Sequence, residues 1–138
     1  MTTREHLHRI TQLLQPLYDA HEAAAIAKAY LQARLALPAQ VEQQLAQDLP
    51  LLQQGTPLQQ VLGEAEFYGL TLKVTPDVLI PRPETEELVD LTVRQCQHSP
   101  ALRIWDLGTG SGCIAIALAK HLPQAEVFAS DISERALD

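Results

Sequence analysis

Hydrophobic residues recur at helical spacing in the first half of the chain. Leu7, Ile10 and Leu14 lie three and four residues apart, which predicts a first helix that Pro16 ends. A second stripe predicts a longer helix that Pro38 ends. The residues of this second stripe are Ala23, Ala27, Tyr30, Leu31 and Leu35. Helices with one apolar face each predict a helical bundle.

Residues that cap or interrupt helices predict where the other helices of this bundle start and end. Asp19 and Glu22 have the spacing of a capping box, in which each residue satisfies a backbone donor of the other. A third stripe begins at Val41, contains Pro50 and ends at Gly55. Pro50 predicts a break or a fresh start within it, because proline removes a helical hydrogen bond. The segment Thr56–Gly63 begins with Thr-Pro and ends with glycine, which predicts a short helix.

The spacing changes from helical to alternating after residue 65. Apolar residues over Phe67–Val74, bent at Gly69, predict a β-hairpin. Prolines at positions 76, 81 and 83 exclude a long helix in the following segment. The region therefore connects two units of different character.

The last part of the chain predicts helix, strand, helix and strand in turn. The helix is Glu84–Gln97, the strands are Leu102–Leu107 and Ala125–Asp131, and the helix between them is Ser111–Leu122. The stripe expected to be buried on the first helix is Leu88, Val89, Thr92, Val93 and Cys96. Ser133 is a candidate cap for a further helix. Strand, helix, strand is a βαβ unit, the start of a parallel sheet.

Composition restricts the classes of function. The 138 residues carry a formal net charge of -7, so a nucleic acid, whose backbone requires clustered Lys and Arg, is not the expected partner. Cys96 and Cys113 form no CxxC pair, which is typical of reduced thiols in the cytosol. The five histidines have no ligand spacing, so we expect no metal. Without a signal peptide or an apolar run of about 20 residues, we expect a soluble cytoplasmic protein with no membrane contact.

A glycine-rich turn follows the first strand of the βαβ unit. Gly108, Gly110 and Gly112 alternate between this strand and the next helix, whose unpaired N–H groups lie at the carboxyl edge of the sheet. Glycines allow a ligand to approach the backbone closely. Asp131, at the end of the second strand, can accept hydrogen bonds from both hydroxyls of a ribose. The arrangement predicts a ligand that contains adenosine.

The order of the glycines distinguishes a dinucleotide from S-adenosylmethionine. In the dinucleotide fingerprint G-x-G-x-x-G that starts at Gly108, a third glycine would stand where Cys113 is. A dehydrogenase is therefore the weakest alternative. The observed order, Asp106 followed by the alternating glycines, resembles the first motif of class I S-adenosylmethionine-dependent methyltransferases.

Two further segments resemble one particular family of these methyltransferases. "TPDVLIPRPETEELV", Thr75–Val89, resembles the signature of the release factor glutamine methyltransferases, and "GTPLQQVLGEAEFYGL", Gly55–Leu70, is similar to the segment that closes their helical domain. A sister family that modifies a ribosomal protein carries a different sequence in place of Arg82–Glu86. The three matches, in the same order as in the family, favour the release-factor branch.

The resemblance implies a helical substrate-recognition domain (1–65), a β-hairpin linker (66–80) and the first βαβ unit of an α/β Rossmann-like class I methyltransferase domain (81–138). It implies transfer of a methyl group from S-adenosylmethionine to the glutamine amide in the Gly-Gly-Gln motif of peptide chain release factors. The residues that it assigns to the cofactor are Gly108, Thr109, Gly110, Ser111, Gly112 and Asp131. Arg82, Pro83 and Glu84 either lie near that pocket or form a rigid proline linker.

The chain also departs from the family pattern. The Asn-Pro-Pro-Tyr segment that the family uses to orient the amide is not among residues 1–138, and Gln60 stands where the family often has Tyr. Since two parallel strands make an incomplete sheet, we expect a fragment with half of a cofactor site and no activity alone. The alternatives are an enzyme that acts on a ribosomal protein or another acceptor, and a non-catalytic binding or regulatory fragment.

Overall fold

The chain folds as two units, Met1–Leu62 and Gly63–Asp138. The computed structural model describes residues 2–34 and 40–138. The first unit consists of helices and is called the helical unit, and the second combines helices with strands and is called the mixed unit.

The helical unit contains four helices in its described residues. Their bounds are α1 Thr3–Leu14, α2 Ala20–Arg34, α3 Val41–Gln53 and α4 Leu58–Leu62. Their buried side chains form one core: Ile10, Leu14, Ala23, Ala27, Tyr30, Leu31, Val41, Leu45 and Leu52. This core confirms the predicted apolar stripes of the first three helices. Leu35 and Pro38, the predicted end of α2, lie outside the described residues.

Side-chain caps fix the starts of α1 and α2. Thr2 and Glu5 form a capping box at α1, in which the Thr2 N–H donates to Glu5 Oε2 at 2.6 Å and the Glu5 N–H donates to Thr2 Oγ1 at 3.3 Å. At α2, Asp19 Oδ1 accepts from the Glu22 N–H at 2.8 Å, which is one of the two bonds of the predicted box.

The predicted break at Pro50 is wrong, because α3 runs through this proline to Gln53. Leu45 and Leu52 stand on either side of Pro50, and both are buried in the core. Pro50 itself is exposed and lies in the last turns of the helix. The burial of both leucines outweighs the loss of one helical hydrogen bond.

Gly55 ends α3, as predicted. The Gly55 N–H donates to the Leu52 carbonyl and the Thr56 N–H donates to the Leu51 carbonyl, both at 3.0 Å. This pair of bonds is a Schellman motif, which requires a left-handed residue, and Gly55 has φ +85°. The short helix α4 then ends immediately before Gly63, as the sequence predicts.

A polar cluster joins α2 to α3 inside the helical unit. The Tyr30 hydroxyl donates to Asp48 Oδ2 at 2.9 Å, and Arg34 Nη2 approaches the same oxygen at 3.0 Å. The Tyr30 side chain is fully buried, and its burial together with the Asp48 carboxylate raises its pKa. Tyr30 therefore stays protonated and serves as the hydrogen-bond donor to Asp48.

The mixed unit begins with the predicted β-hairpin. Strands β1 (Glu64–Phe67) and β2 (Leu70–Lys73) pair antiparallel through a two-residue turn of Tyr68 and Gly69. Both turn residues have positive φ, +48° and +72°, as in a type I′ turn. Glycine adopts this conformation freely, whereas tyrosine adopts it only when its surroundings hold it there.

Three contacts hold Tyr68 in this conformation. Its N–H donates to Glu86 Oε1 at 2.9 Å, and its hydroxyl donates to Asp90 Oδ1 at 3.2 Å. Its ring meets the ring of His121 edge to face, with 4.8 Å between the ring centroids. The tip of the hairpin is thereby attached to the helix that carries Glu86 and Asp90.

The rest of the mixed unit contains the predicted βαβ unit. The elements are α5 Pro83–Cys96, β3 Leu102–Leu107, α6 Cys113–His121, β4 Ala125–Ser130 and α7 Glu134–Leu137. Strands β3 and β4 pair in parallel, from Leu102 opposite Ala125 to Leu107 opposite Ser130. Ser133 caps α7 by accepting from the Ala136 N–H, as predicted.

One side of the β3–β4 sheet is packed and the other is exposed. The packed side belongs to a core formed by Phe67, Leu72, Val89, Cys113, Ala117, Leu118 and Leu122. On the other side Trp105, Leu107 and Phe128 are exposed. The prediction that Leu88 is buried is wrong, since α5 turns Val89 and Val93 towards the core and leaves Leu88 in solvent. Among the described residues, no helix has the length and apolar character that a membrane crossing requires.

We expect Glu86→Ala to lower the free energy of unfolding of the mixed unit by about 1 to 3 kcal/mol, because the Tyr68 N–H loses its acceptor in a strained turn. Urea unfolding followed by the fluorescence of Trp105, the only tryptophan, measures this. The control is Glu87→Ala, an exposed residue on the same helix, which should change little. An equal loss in the two variants would show that the hairpin contact contributes nothing.

Candidate functional site

The turn between β3 and α6 is built from alternating glycines in left-handed conformations. We call Gly108–Gly112 the glycine loop; its three glycines have φ of +74°, +56° and +75°. At Gly112 a Cβ would also lie 3.1 Å from Ile116 Cδ1, so a larger residue would meet the first turn of α6. The left-handed conformation therefore favours glycine there, and a Cβ would require the Ile116 side chain to shift by a few tenths of an ångström.

Backbone hydrogen bonds attach the glycine loop to the end of the neighbouring strand. The N–H groups of Gly108 and Thr109 both donate to the Ser130 carbonyl, at 2.8 and 3.0 Å. The Gly112 N–H donates to the Thr109 carbonyl at 2.9 Å and closes the turn. The loop is thus fixed at the carboxyl ends of both parallel strands, where open α/β sheets bind their ligands.

Asp131 connects the glycine loop to the segment after β4. Its Oδ2 accepts from the Gly110 N–H and its Oδ1 from the Ser133 N–H, both at 2.9 Å. The hydrogen bonds from Ser133 and then Gly110 lower the pKa of the Asp131 carboxyl, so it is ionised at neutral pH. An ionised carboxylate has about four acceptor positions, so it can accept from further donors.

A second carboxylate fixes the side chain of Thr109. The Thr109 hydroxyl donates to Asp106 Oδ2 at 2.7 Å, and Thr109 is buried. The acidic residue before the glycines therefore orients the loop from the β3 side, as Asp131 does from the β4 side. The sequence pattern singled out both acids, although it did not reveal that Thr109 pairs with Asp106.

Two cavities flank the glycine loop, and Thr109, Gly110 and Ser111 line both. The larger cavity has a volume of about 310 Å³ and the smaller one about 180 Å³. The larger is also lined by residues from the segment after β2, from α6 and from α7. The smaller is also lined by Leu79, Ile80, Pro81, Arg82, Thr85, Gly108, Cys113 and Ile114.

Some of the predicted site residues line these cavities and others do not. Gly112 lines the larger cavity and Gly108 the smaller one, whereas Asp131 touches the loop but is not among the described residues that line either. Of Arg82, Pro83 and Glu84, only Arg82 lines either of these two cavities. Lys73 and Arg135 of the larger cavity were not predicted, since nothing in their sequence neighbourhood marks them.

Cys113 begins α6 directly after the loop. Burial raises the pKa of its thiol, which keeps it protonated and a poor nucleophile. No group of three or more His, Cys, Asp or Glu that could hold a metal ion occurs among the described residues. The polar groups at the site are thus backbone N–H groups, hydroxyls, two arginines, one lysine and the carboxylates of Asp106, Asp131 and Asp138.

Comparison with known proteins relates the chain to methyltransferases. Residues 88–138 match the family model of the methyltransferase small domain. A release factor glutamine methyltransferase of Bacteroides thetaiotaomicron is 43% identical over 141 residues, which cover 93% of this chain and 50% of that protein.

Proteins of the same name are more similar over shorter segments. That of Flavobacterium psychrophilum is 52% identical over 89 residues, which cover 62% of this chain and 31% of the relative. That of Streptococcus pneumoniae is 55% identical over 82 residues, which cover 59% of this chain and 29% of the relative. The chain therefore spans half the length, or less, of these curated relatives.

We expect Asp131→Asn to destabilise the mixed unit at neutral pH and to have less effect in acid. Because the folded state lowers the pKa of this carboxyl, its contribution to stability is present above the unfolded pKa and is lost as the pH falls through the folded pKa. Urea unfolding followed by Trp105 fluorescence at about pH 7 and about pH 3 measures the difference.

The control for this experiment is Asp77→Asn. Asp77 forms an exposed ion pair with Arg135 at 3.4 Å, and its loss should change stability little at either pH. A deficit of Asp131→Asn that is equal at both pH values would contradict the role of its charge.

Proposed function

We propose that the chain is part of a release factor glutamine methyltransferase. The whole protein would methylate the glutamine side-chain amide in the Gly-Gly-Gln motif of peptide chain release factors, with S-adenosylmethionine as the methyl donor. The observation that carries the proposal is the glycine loop, fixed by Asp131 at the carboxyl ends of two parallel strands. That arrangement combines close backbone access with an ionised acceptor for ribose hydroxyls.

The residues present fit this methyl donor. Gly108, Thr109, Gly110, Ser111 and Gly112 would hold its methionyl part, and the Asp131 carboxylate would accept from the ribose hydroxyls. The two cavities beside the loop, about 310 and 180 Å³, are together in the size range of small-molecule sites. Cys113, in place of a third dinucleotide glycine, argues against a dehydrogenase.

For the domains, we propose a helical substrate-recognition domain over 1–65, a hairpin linker over 66–80 and the first part of a Rossmann-like class I methyltransferase domain over 81–138. The parallel β3–α6–β4 order supports the last assignment. The separate core of the helical unit supports the first, because a domain that recognises a protein substrate requires its own rigid surface.

The reaction involves a methyl donor and an amide nitrogen that accepts the methyl group. When bound, S-adenosylmethionine supplies an activated methyl group, whereas an amide nitrogen is a weak nucleophile because its lone pair is delocalised. Positioning and preorganised acceptors for the amide N–H bonds are therefore the main catalytic contributions. The residues of this chain act on the donor side: the loop orients the methyl donor, and Asp106 and Asp131 keep the loop in place.

We expect the chain to bind S-adenosylmethionine with saturable heat in a calorimetric titration, and Gly110→Ala to weaken the affinity about tenfold or more, equivalent to about 1.4 kcal/mol. The added methyl group would project from a residue that lines both cavities and has φ +56°.

The control is Gly69→Ala. Gly69 has a similar φ of +72° and equally open space around its missing Cβ, but it lines neither cavity in the described chain. It should change the affinity by about twofold at most. Absence of saturable heat with the unaltered chain would overturn the assignment of the methyl donor.

The acceptor is tested in the organism that carries the gene. Deletion of the gene should remove the methyl group from the glutamine of the Gly-Gly-Gln motif in its release factors, which mass spectrometry of the tryptic peptides detects. If that glutamine stays methylated and a ribosomal protein loses a methylated glutamine instead, the acceptor assignment is wrong while the donor assignment stands.

A further inference from the structure

The tip of the hairpin and the first turns of α5 close a loop of the chain. The Tyr68 N–H donates to Glu86 Oε1 at 2.9 Å, and the two residues are 18 positions apart in the sequence. The Tyr68 hydroxyl donates to Asp90 Oδ1 at 3.2 Å, one turn further along the same helix. Between these contacts the chain runs through β2 and residues 74–82, and it then returns to the helix that holds the hairpin tip.

Residues 73–82, which we call the wall segment, line both cavities beside the glycine loop. The residues of this segment that line the larger cavity are Lys73, Thr75 and Val78, and those that line the smaller one are Leu79, Ile80, Pro81 and Arg82. The glycine loop lines both cavities as well. The position of the wall segment relative to the glycine loop therefore sets the width of each cavity.

The wall segment has few restraints of its own. Residues 74–82 form neither helix nor strand. Val74 and Val78 are buried in a small core, whereas the ion pair of Asp77 with Arg135, at 3.4 Å, is exposed and contributes little. The segment is therefore held by two valines and by its two ends, which are β2 and the start of α5.

Glu86 links these two ends. It lies in the first turn of α5, and its carboxylate accepts from the tip of the hairpin to which β2 belongs. Tyr68, at this tip, has φ +48°, a conformation that a residue other than glycine keeps only when its surroundings maintain it. Loss of the acceptor for the Tyr68 N–H would allow the turn to relax, and β2 would carry the wall segment with it.

This contact distinguishes Glu86 from the glutamates beside it. Glu84 and Glu87 are exposed, whereas Glu86 is partly buried. Glu86 is not among the described residues that line either of the two cavities. An effect of its hydrogen bond on a ligand in these cavities would therefore pass through the hairpin.

We propose that Glu86 is a positioning residue for the methyl donor, because its hydrogen bond to the hairpin tip sets the distance between the wall segment and the glycine loop. This inference rests on the proposed function. A site whose walls are already ordered spends less of the binding free energy on ordering them. When the wall segment is loosened, the ligand has to order it, and the affinity falls although no contact to the ligand has been removed.

Calorimetric titration with S-adenosylmethionine, well below the unfolding midpoint of every variant, tests the proposal. We expect Glu86→Ala to weaken the affinity about five- to tenfold. Glu86→Gln keeps an amide oxygen that can accept from the Tyr68 N–H, so it should restore the affinity to within about twofold of the unaltered chain.

Two variants of the same helix separate positioning from charge and from stability. Glu87→Ala removes the same charge from an exposed position. Val89→Ala truncates a fully buried side chain and should lower the midpoint of thermal unfolding, followed by Trp105 fluorescence, at least as far as Glu86→Ala does. Both variants should keep the affinity within about twofold of the unaltered chain, since neither alters the hairpin contact.

Amide hydrogen exchange without ligand reports the loosening directly. In Glu86→Ala we expect exchange in residues 70–82 to be about tenfold faster, because these residues open locally, and exchange in β3, residues 102–107, to be unchanged. In Glu86→Gln the exchange of both segments should match that of the unaltered chain.

Several results would overturn the proposal while the assignment of the methyl donor stands. They are an unchanged affinity of Glu86→Ala, an affinity of Glu86→Gln as low as that of Glu86→Ala, and an equal loss of affinity in Val89→Ala. Uniformly faster exchange across the mixed unit in Glu86→Ala would likewise show that Glu86 contributes only to global stability. If the unaltered chain gives no saturable heat, the proposed function fails, and the positioning role of Glu86 fails with it.

Discussion

The carboxyl ends of the two parallel strands are joined by a single side chain, and the site depends on that connection. Asp131 accepts one hydrogen bond from the glycine loop and another from the segment that starts α7. Both donors are backbone N–H groups, so the connection fixes main chain rather than mobile side chains. Together with the two bonds to the Ser130 carbonyl, it holds the loop in a conformation that only glycines adopt without strain.

Local patterns predicted much of this structure because local forces decide it. The apolar stripes, the Schellman end at Gly55, the cap at Ser133 and the order of β3, α6 and β4 follow from periodicity and from cap and turn chemistry. Pro50 was mispredicted because the burial of leucines on both sides of it is a tertiary effect. Leu88 was mispredicted because the pattern of α5 admits two neighbouring apolar faces, and only packing selects one.

In the candidate site, too, the features set by neighbouring residues could be predicted from the sequence, and those set by the fold could not. The glycines and both acidic residues could be predicted, since the spacing of the motif is itself the signal. The cavities could not, because the segment after β2 and the start of α5 reach the glycine loop only through the fold. Tyr68 is the clearest case: its positive φ is sustained by Glu86 and Asp90, about twenty residues further along the chain. The start of α5 therefore combines an arginine that lines the smaller cavity with a glutamate that holds the hairpin.

The exposed side of the β3–β4 sheet has a consequence for the colloidal behaviour of the chain. Parallel sheets are usually covered on both faces, whereas here Trp105, Leu107 and Phe128 face water and favour contact between copies. The net charge of -7 opposes that contact through mutual repulsion. Added electrolyte screens the repulsion, and excluded salts such as sulfate strengthen the apolar attraction. Solubility is thus a balance between surface charge and one uncovered sheet face, and ionic strength tips that balance towards self-association.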